Sequence, residues 1–274
     1  MSRLFLDFAV RAYIVGVLVG VTAPTIGCFL VQRRLSLIGD GMGHLAFAGV
    51  AIGVAAGFAP VWGALAIAVI GALLLEWLRT RGRLASDLSL ALVFYFGIAL
   101  GLEVLTASGR FSGVGFAVLF GDPLSVTTGE IWLVLALCLL VGGIVALFYK
   151  EFLAVALDEE TARASGLPVD RLNVLLVVLV ALLVAAGMRV VGLLLVAALL
   201  VIPVAAGSRL AHSFRGAMAW SVGAGVASSL LGLLAAVGQG DLAPGGSIVL
   251  TSIMLFFVAA AAGRRAARLH TRRQ

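Results

Sequence analysis

Charge is scarce in this chain: 12% of its 274 residues are Asp, Glu, Lys or Arg, against about a quarter in an ordinary soluble domain. A soluble globule of this size needs more polar surface than that. The shortage excludes an ordinary soluble enzyme, and the apolar content excludes a disordered chain. Cysteine is equally sparse. Cys28 and Cys138 both lie in apolar runs, so each reads as a small buried hydrophobe. No disulfide scaffold or metal–thiolate spacing is available. Also missing are a GxxxxGK[ST] phosphate loop, an HExxH metalloprotease helix and a GxSxG nucleophile turn. The acidic run Asp158-Glu159-Glu160 has no second carboxylate motif to make a two-metal hydrolase. The chain is therefore not expected to hydrolyse ATP, or to be an enzyme at all.

What is present is hydrocarbon. Hydrophobic residues make up 62% of the chain, the mean hydropathy is +1.19, and the apolar total suffices for about eight membrane spans. The runs fall at Phe8–Val31, Ser36–Phe58, Pro60–Leu78, Leu88–Thr106, Ile131–Tyr149, Leu172–Met188, Val190–Ala206, Gly216–Val237 and Ser247–Gly263. They are too long and too apolar for barrel strands, so the fold class is all-α: a polytopic transmembrane helical bundle of about eight to nine spans. The run from Phe8 reads as the first span, not a cleaved signal. The sixth and seventh runs are short and meet at Arg189, which suits a tight hairpin or a re-entrant segment. Phe111–Phe120 is apolar but too short to cross, and reads as a partial helix dipping into the membrane from one side. The whole of 1–274 reads as one membrane domain, with a polar loop at 150–171 and a basic tail at 264–274.

The net charge of +6 and pI near 10.3 are dispersed through short loops, which points to topology and not to nucleic acid. With the C-terminus on the cytoplasmic side, span alternation places Arg33, Arg34, Arg79, Arg81, Arg83, Lys150, Arg163, Arg171, Arg209, Arg215, Arg264, Arg265, Arg268, Arg272 and Arg273 inside, which is 15 of the 19 basic residues. Arg3, Arg11, Arg110 and Arg189 stay outside. The expected location is the cytoplasmic (inner) membrane, with lipid as the surrounding partner.

The sharpest local signal is Asp40 and His44, four residues apart and so on one helix face. Ionisable groups at membrane depth are expensive and face a bundle interior or a wet cavity. The pair suits contact with a divalent metal, a hydrogen bond that fixes helix packing, or a proton relay. As a metal site it needs further ligands from another helix, a symmetry mate or water. Gly49 and Gly53, and the Gly223, Gly225, Ser228, Ser229 group, allow backbones to approach closely. Pro24 and Pro203 imply kinks. Glu76 is placed to pair with Arg79 or to stand as a hydrated interfacial carboxylate. Glu103, Asp122, Glu130 and Asp241 read as interfacial carboxylates that give the outer mouth a negative potential. In the loop, Asp158, Glu159 and Glu160 suit a helix N-terminus, Ala162 and Arg163 continue it, and Gly166 with Pro168 stops it. That short helix reads as a tether or a docking element.

Five segments together resemble the membrane permease of bacterial zinc/manganese/iron ABC importers. The clearest is FLVQRRLSLIGDGMGHLAFAGVAIG, Phe29–Gly53. The others are Leu119–Trp132, Asp158–Asn173, Val190–Ser213 and Gly240–Leu250. The resemblance implies a homodimer of permease chains, two cytoplasmic ATPase subunits that bind ATP, and an extracellular or periplasmic metal-binding protein. It implies transported Zn²⁺, or alternatively Mn²⁺ or Fe²⁺, with no permanently bound cofactor. It maps Asp40 and His44 onto the metal path or gate, and Asp158–Gly166 onto the helix that couples to the ATPase. The commoner family motif reads Gly-Asp-Ala-Leu-Ser-His-Ala and then Leu-Pro-Gly. Here Gly43 replaces the serine, and Phe47-Ala48-Gly49 replaces Leu-Pro-Gly. These glycine-bearing variants look more like the zinc branch, so zinc is the expected cargo. A permease for an iron chelate or cobalamin, a channel or secondary carrier independent of an ATPase, and a membrane scaffold are the competing expectations.

Overall fold

A computed structural model describes residues 2–82, 85–109, 127–239 and 243–271. The expected partial helix at Phe111–Phe120, and the candidate carboxylates Asp122 and Asp241, lie outside the described residues. The regular structure is helical throughout: α1 Ser2–Gln32, α2 Ile38–Ala56, α3 Pro60–Thr80, α4 Ser86–Ala107, α5 Thr128–Leu147, α6 Tyr149–Leu157, α7 Glu159–Ala164, α8 Val169–Val191, α9 Leu193–Leu210, α10 Phe214–Gln239 and α11 Pro244–Thr271. Among the described residues, nine of these helices are long and apolar enough to cross a membrane. In hydrocarbon the backbone has no water to bond, so an uninterrupted helix is the only form such runs can take. The chain is a multi-pass membrane protein.

Two groups of helices meet on a central pair. α2 packs against α3 and α4, while α9, α10 and α11 pack on one another. α1 runs along α9 and α10, and α8 lies against α1, α2 and α3. α1, α2 and α8 are thus the most enclosed spans, and α4, α5 and α11 the most exposed. The exposed faces carry Leu92, Phe96, Leu139, Met254 and Phe257, as a lipid-facing surface requires.

Small residues set the closest approaches. At the α2–α3 crossing, Gly49 and Gly63 each lie against the other's carbonyl, and a Cβ on Gly53 would stand 2.9 Å from the Cα of Pro60. At the α1–α10 crossing Gly225 lies on the Gly20 carbonyl. Without a hydrophobic drive between helices in lipid, such backbone contact supplies the packing energy. Pro24 and Pro203 both sit inside continuous helices.

α8 and α9 form a tight hairpin. Only Gly192 separates them, at φ +91°, a conformation that side chains resist. The two helices of the hairpin close on each other, since a Cβ on Gly187 would come within 2.8 Å of Val196.

The polar loop holds two helices where one was expected. α6 follows α5 after a break at Phe148, and Asp158 then caps α7. Gly166, at φ +84°, ends the segment. One end of the bundle gathers this loop with the α1–α2 turn and the junctions α3–α4 and α9–α10.

Candidate functional site

Asp40 sits in the first turn of α2 and His44 one turn further on. Both are half-buried. The His44 ring meets Phe94 of α4 edge-on, with centroids 4.5 Å apart and planes at 73°. The contact depends on glycine: a Cβ on Gly97 would stand 2.7 Å from the His44 carbonyl carbon and 2.8 Å from its oxygen. One turn on, Gly101 lies against Phe47. On another side of α2, Gly39 accommodates Leu200, and Gly43 accommodates Leu193 and Val184. The motif helix is therefore wedged between α4 and the α8–α9 hairpin.

Neither Asp40 nor His44 has a side-chain hydrogen bond or ion pair to another described residue. The structure thus lacks the Asp40–His44 hydrogen bond that a packing role would use. Among the described residues, no group of three or more His, Cys, Asp and Glu side chains is placed to hold a metal. The pair offers one carboxylate and one imidazole, and a metal ion contacting both needs its remaining ligands from elsewhere.

Next to this motif lies an ionic cluster that joins three parts of the chain. Arg33 begins the turn from α1 to α2, and Arg34 follows at φ +59°. The Arg33 guanidinium donates to Asn173 Oδ1 at 2.7 Å and to Glu159 Oε2 at 3.0 Å. Its side chain is 8% exposed. Burial pulls the guanidinium below its ordinary pKa range, and the Glu159 carboxylate opposes that pull. Glu159 Oε1 accepts from Asn173 at 3.4 Å and Arg163 at 3.5 Å, and Arg163 reaches Asp170 at 2.7 Å. The flanking Asp170 carboxylate holds Arg163 above its ordinary value.

The expected Glu76–Arg79 pair forms at 2.9 Å. Glu76 is only 2% exposed, so it is a buried ion-pair member and not the hydrated interfacial carboxylate its position suggests. Its pair and the Arg33 cluster border a cavity of about 440 Å³, lined also by Thr80 and Ser86.

As the cap of α7, Asp158 accepts from the backbone N–H groups of Glu160 at 3.0 Å and Thr161 at 3.1 Å. The Thr161 hydroxyl also donates to it, and these bonds lower the Asp158 pKa. Ala162 is buried, whereas Glu160, Thr161, Arg163 and Gly166 are exposed. A polar face is thereby offered outward on a helix fixed from behind.

The expected outer-mouth residues divide. Glu103 is exposed near the end of α4. Glu130 is the third residue of a capping box, its carboxylate accepting from the Thr127 N–H at 2.9 Å while its own N–H donates to Thr127 Oγ1 at 3.3 Å. The Thr127-x-x-Glu130 spacing carries that signal in the sequence. Sequence reasoning also missed the Arg33–Glu159–Asn173 contact. Arg33 counted there as a topological charge and as part of the family-like segment Phe29–Gly53, and the sole local hint was an amide, Asn173, at the start of an apolar run.

Comparison with known proteins extends this picture. The model of the ABC 3 transport family matches residues 5–263. The chain is 32% identical over 253 residues to the manganese transport system membrane protein MntC of Listeria monocytogenes, a match covering 92% of this chain and 90% of that one. It is 31% identical over 252 residues to the manganese import system permease protein ScaB of Streptococcus gordonii, covering 92% and 90%. Among solved structures it resembles PsaBC from Streptococcus pneumoniae in complex with Fab, with a TM-score of 0.82, 29% identity, and coverage of 94% of this chain and 95% of that chain.

Proposed function

This chain belongs to the ABC 3 transport family as the permease of an ABC metal importer, and we propose that its cargo is manganese(II). Two relatives named for manganese, each aligned over nine-tenths of the chain, support this reading over zinc. The variants that look like the zinc branch, Gly43 and the Phe47-Ala48 pair, have packing roles in this fold: Gly43 admits Leu193 and Val184, and Phe47 and Ala48 lie against Gly101. They therefore carry no weight for metal choice. A carboxylate paired with an imidazole is an acceptable partial ligand set for Mn²⁺ as well as for softer ions.

The observation that carries the mechanism is the Asp40–His44 pair, half-buried and bonded to nothing else among the described residues. In this reading two copies of the chain face each other, and the pair from each contacts the ion on its way through. Affinity stays modest because a closed four-ligand site would hold the ion instead of passing it. A binding protein delivers the metal on the outer side. Two ATPase subunits dock on α7 from the cytoplasm, the side that also carries most arginines and the C-terminus. The Arg33 bonds to Glu159 and Asn173 supply a path for force from α7 to α2.

Metal-resolved uptake by the reconstituted complex, with Mn²⁺, Zn²⁺ and Fe²⁺ compared, tests both parts. ATP-driven accumulation of Mn²⁺ in preference to the others is expected, and His44→Ala should abolish it while the chain still inserts. Preference for Zn²⁺ would overturn the cargo. ATP turnover with no metal movement would overturn the transport role.

A further inference from the structure

On the α5–α10 side of the bundle, away from the Arg33 cluster, lies a groove of about 630 Å³. Its apolar wall includes Gly142 and Val145 of α5 and Met218 of α10. A Cβ added to Gly142 or Gly143 would meet nothing within 4 Å, so a bare strip runs along α5. The polar end holds Lys150, Glu151 and Arg215. These residues come immediately after the α5 span and at the start of the α10 span, the depth at which lipid headgroups lie. Arg215 is held over the Tyr149 ring at 5.6 Å. Tyr149 in turn packs on Phe29 and Phe214, at centroid distances of 6.0 and 6.2 Å.

The charges at this end are not matched among the described residues. Among the described residues neither Lys150 nor Arg215 belongs to an ion pair. Glu151 Oε2 and Tyr149 Oη are buried without hydrogen-bond partners. Two cations call for a phosphate, and an orphaned carboxylate oxygen calls for an N–H donor. A phosphate bearing a primary ammonium supplies both. A glycerol headgroup would leave Glu151 without a cation, and a choline headgroup has no N–H to donate.

We propose that this groove binds a phosphatidylethanolamine molecule, with its phosphate between Lys150 and Arg215, its ammonium at Glu151, and an acyl chain along the bare strip of α5. α6 starts at Tyr149 and leads directly into α7, so the bound lipid braces the polar loop from the membrane side.

Native mass spectrometry of the full-length chain, purified in mild detergent, delipidated and titrated with lipids of identical acyl chains, tests this. Phosphatidylethanolamine should bind about tenfold more tightly than phosphatidylcholine, the difference expected from one charge-assisted hydrogen bond. Lys150→Gln with Arg215→Gln should weaken it by at least about tenfold. Glu151→Gln should erase the advantage over phosphatidylglycerol. Gly142→Leu keeps every charge and fills the strip, and should weaken all three lipids while the lipid-free melting temperature is retained. Equal binding of ethanolamine and choline lipids, tighter binding of phosphatidylglycerol by the unaltered chain, or unaltered binding in the Gly142→Leu variant would each overturn the assignment.

Discussion

Arg33 and Glu159 are 126 residues apart in the chain, yet their side chains meet at 3.0 Å. Arg33 opens the turn that leads into α2 and therefore to Asp40 and His44. Glu159 is the first residue of α7. Their bond ties α7, the exposed helix of the polar loop, to the turn that leads into the motif helix. The two ends differ in environment, with Arg33 at 8% exposure and Glu159 at 42%. Losing Arg33 takes the donor from Asn173 Oδ1 and leaves Glu159 with Arg163 and the Asn173 amide. Losing Glu159 leaves a buried guanidinium on Asn173 alone.

That asymmetry makes a prediction. Glu159→Gln keeps the shape of the contact and should cost about 1 kcal/mol of stability, as for a partly exposed pair. Arg33→Ala should cost about 1–3 kcal/mol, because the buried Asn173 Oδ1 loses its donor, while Glu159 keeps Arg163 and Asn173. Both variants should hydrolyse ATP in the assembled complex but move less metal per ATP. Exchanging the charges, with Arg33→Glu and Glu159→Arg together, should recover part of the ratio. Uptake and hydrolysis measured in the same vesicles decide it, and wild-type ratios in both single variants would remove the tie from the mechanism.

Gly97 makes a second prediction. Its added Cβ would lie 2.7 Å from backbone of His44, not from a flexible side chain, so relief requires α4 to move off α2. Gly97→Ala should cost about 1–3 kcal/mol, the range for overpacking, and should depress uptake by displacing the His44 ring from Phe94. Gly143→Ala is the matched control. It has open space and should be neutral or stabilising by up to about 1 kcal/mol. Melting in detergent beside metal uptake separates the two, and full uptake in Gly97→Ala would show that the contact does not position the motif.

The spans were legible because each is a local property. Roughly twenty apolar residues in a row force a helix, whatever surrounds them. The sequence boundaries of the run Pro60–Leu78 differ from α3 by two residues at one end. The Asp40–His44 motif was legible for the same reason, since i and i+4 share a helix face. What the sequence hid was long-range. Nothing near Gly97 indicates that it touches His44, and nothing near Arg33 indicates Asn173, which lies 140 residues away. The break at Phe148 was also missed, because an apolar run gives no sign of where a helix ends and the next begins. The Glu76–Arg79 pair is local, at i and i+3, but the burial of Glu76, which rules out the hydrated interfacial carboxylate, depends on helices from elsewhere in the chain.

The burial of Glu76 sets a third prediction. Breaking a buried ion pair from one side leaves a charge without compensation, at a cost of about 3–5 kcal/mol. Glu76 is nearly inaccessible and Arg79 is 17% exposed on its side chain, so Glu76→Ala should fall near the lower end of that range. Replacing both, with Glu76→Gln and Arg79→Gln, should cost less than Glu76→Ala alone. Thermal unfolding of the three proteins in one detergent is the measurement. A loss in the double variant as large as that in Glu76→Ala, or larger, would show that the two groups act independently.

Asp158 gives a prediction in pH. Its carboxylate accepts from the Thr161 hydroxyl and from two backbone N–H groups at the start of α7, which lowers its pKa from the ordinary value. A depressed folded-state pKa stabilises the fold above the unfolded value, which is about 4 for Asp. That stabilisation is lost as the pH falls through the lower folded-state value. The cap should thus be intact and insensitive to pH between about 5 and 8, and α7 should loosen only in strong acid. Asp158→Asn, which retains a capping oxygen, should keep α7 in place, and Asp158→Ala should loosen it at every pH. Thr161→Val removes the largest contributor and should move the Asp158 titration midpoint up toward the ordinary carboxylate value. Carboxyl-selective NMR across an acid titration reads that midpoint directly. A midpoint unchanged in Thr161→Val would mean that the hydroxyl bond does not hold the carboxylate ionised, and would detach the stability of α7 from this cap.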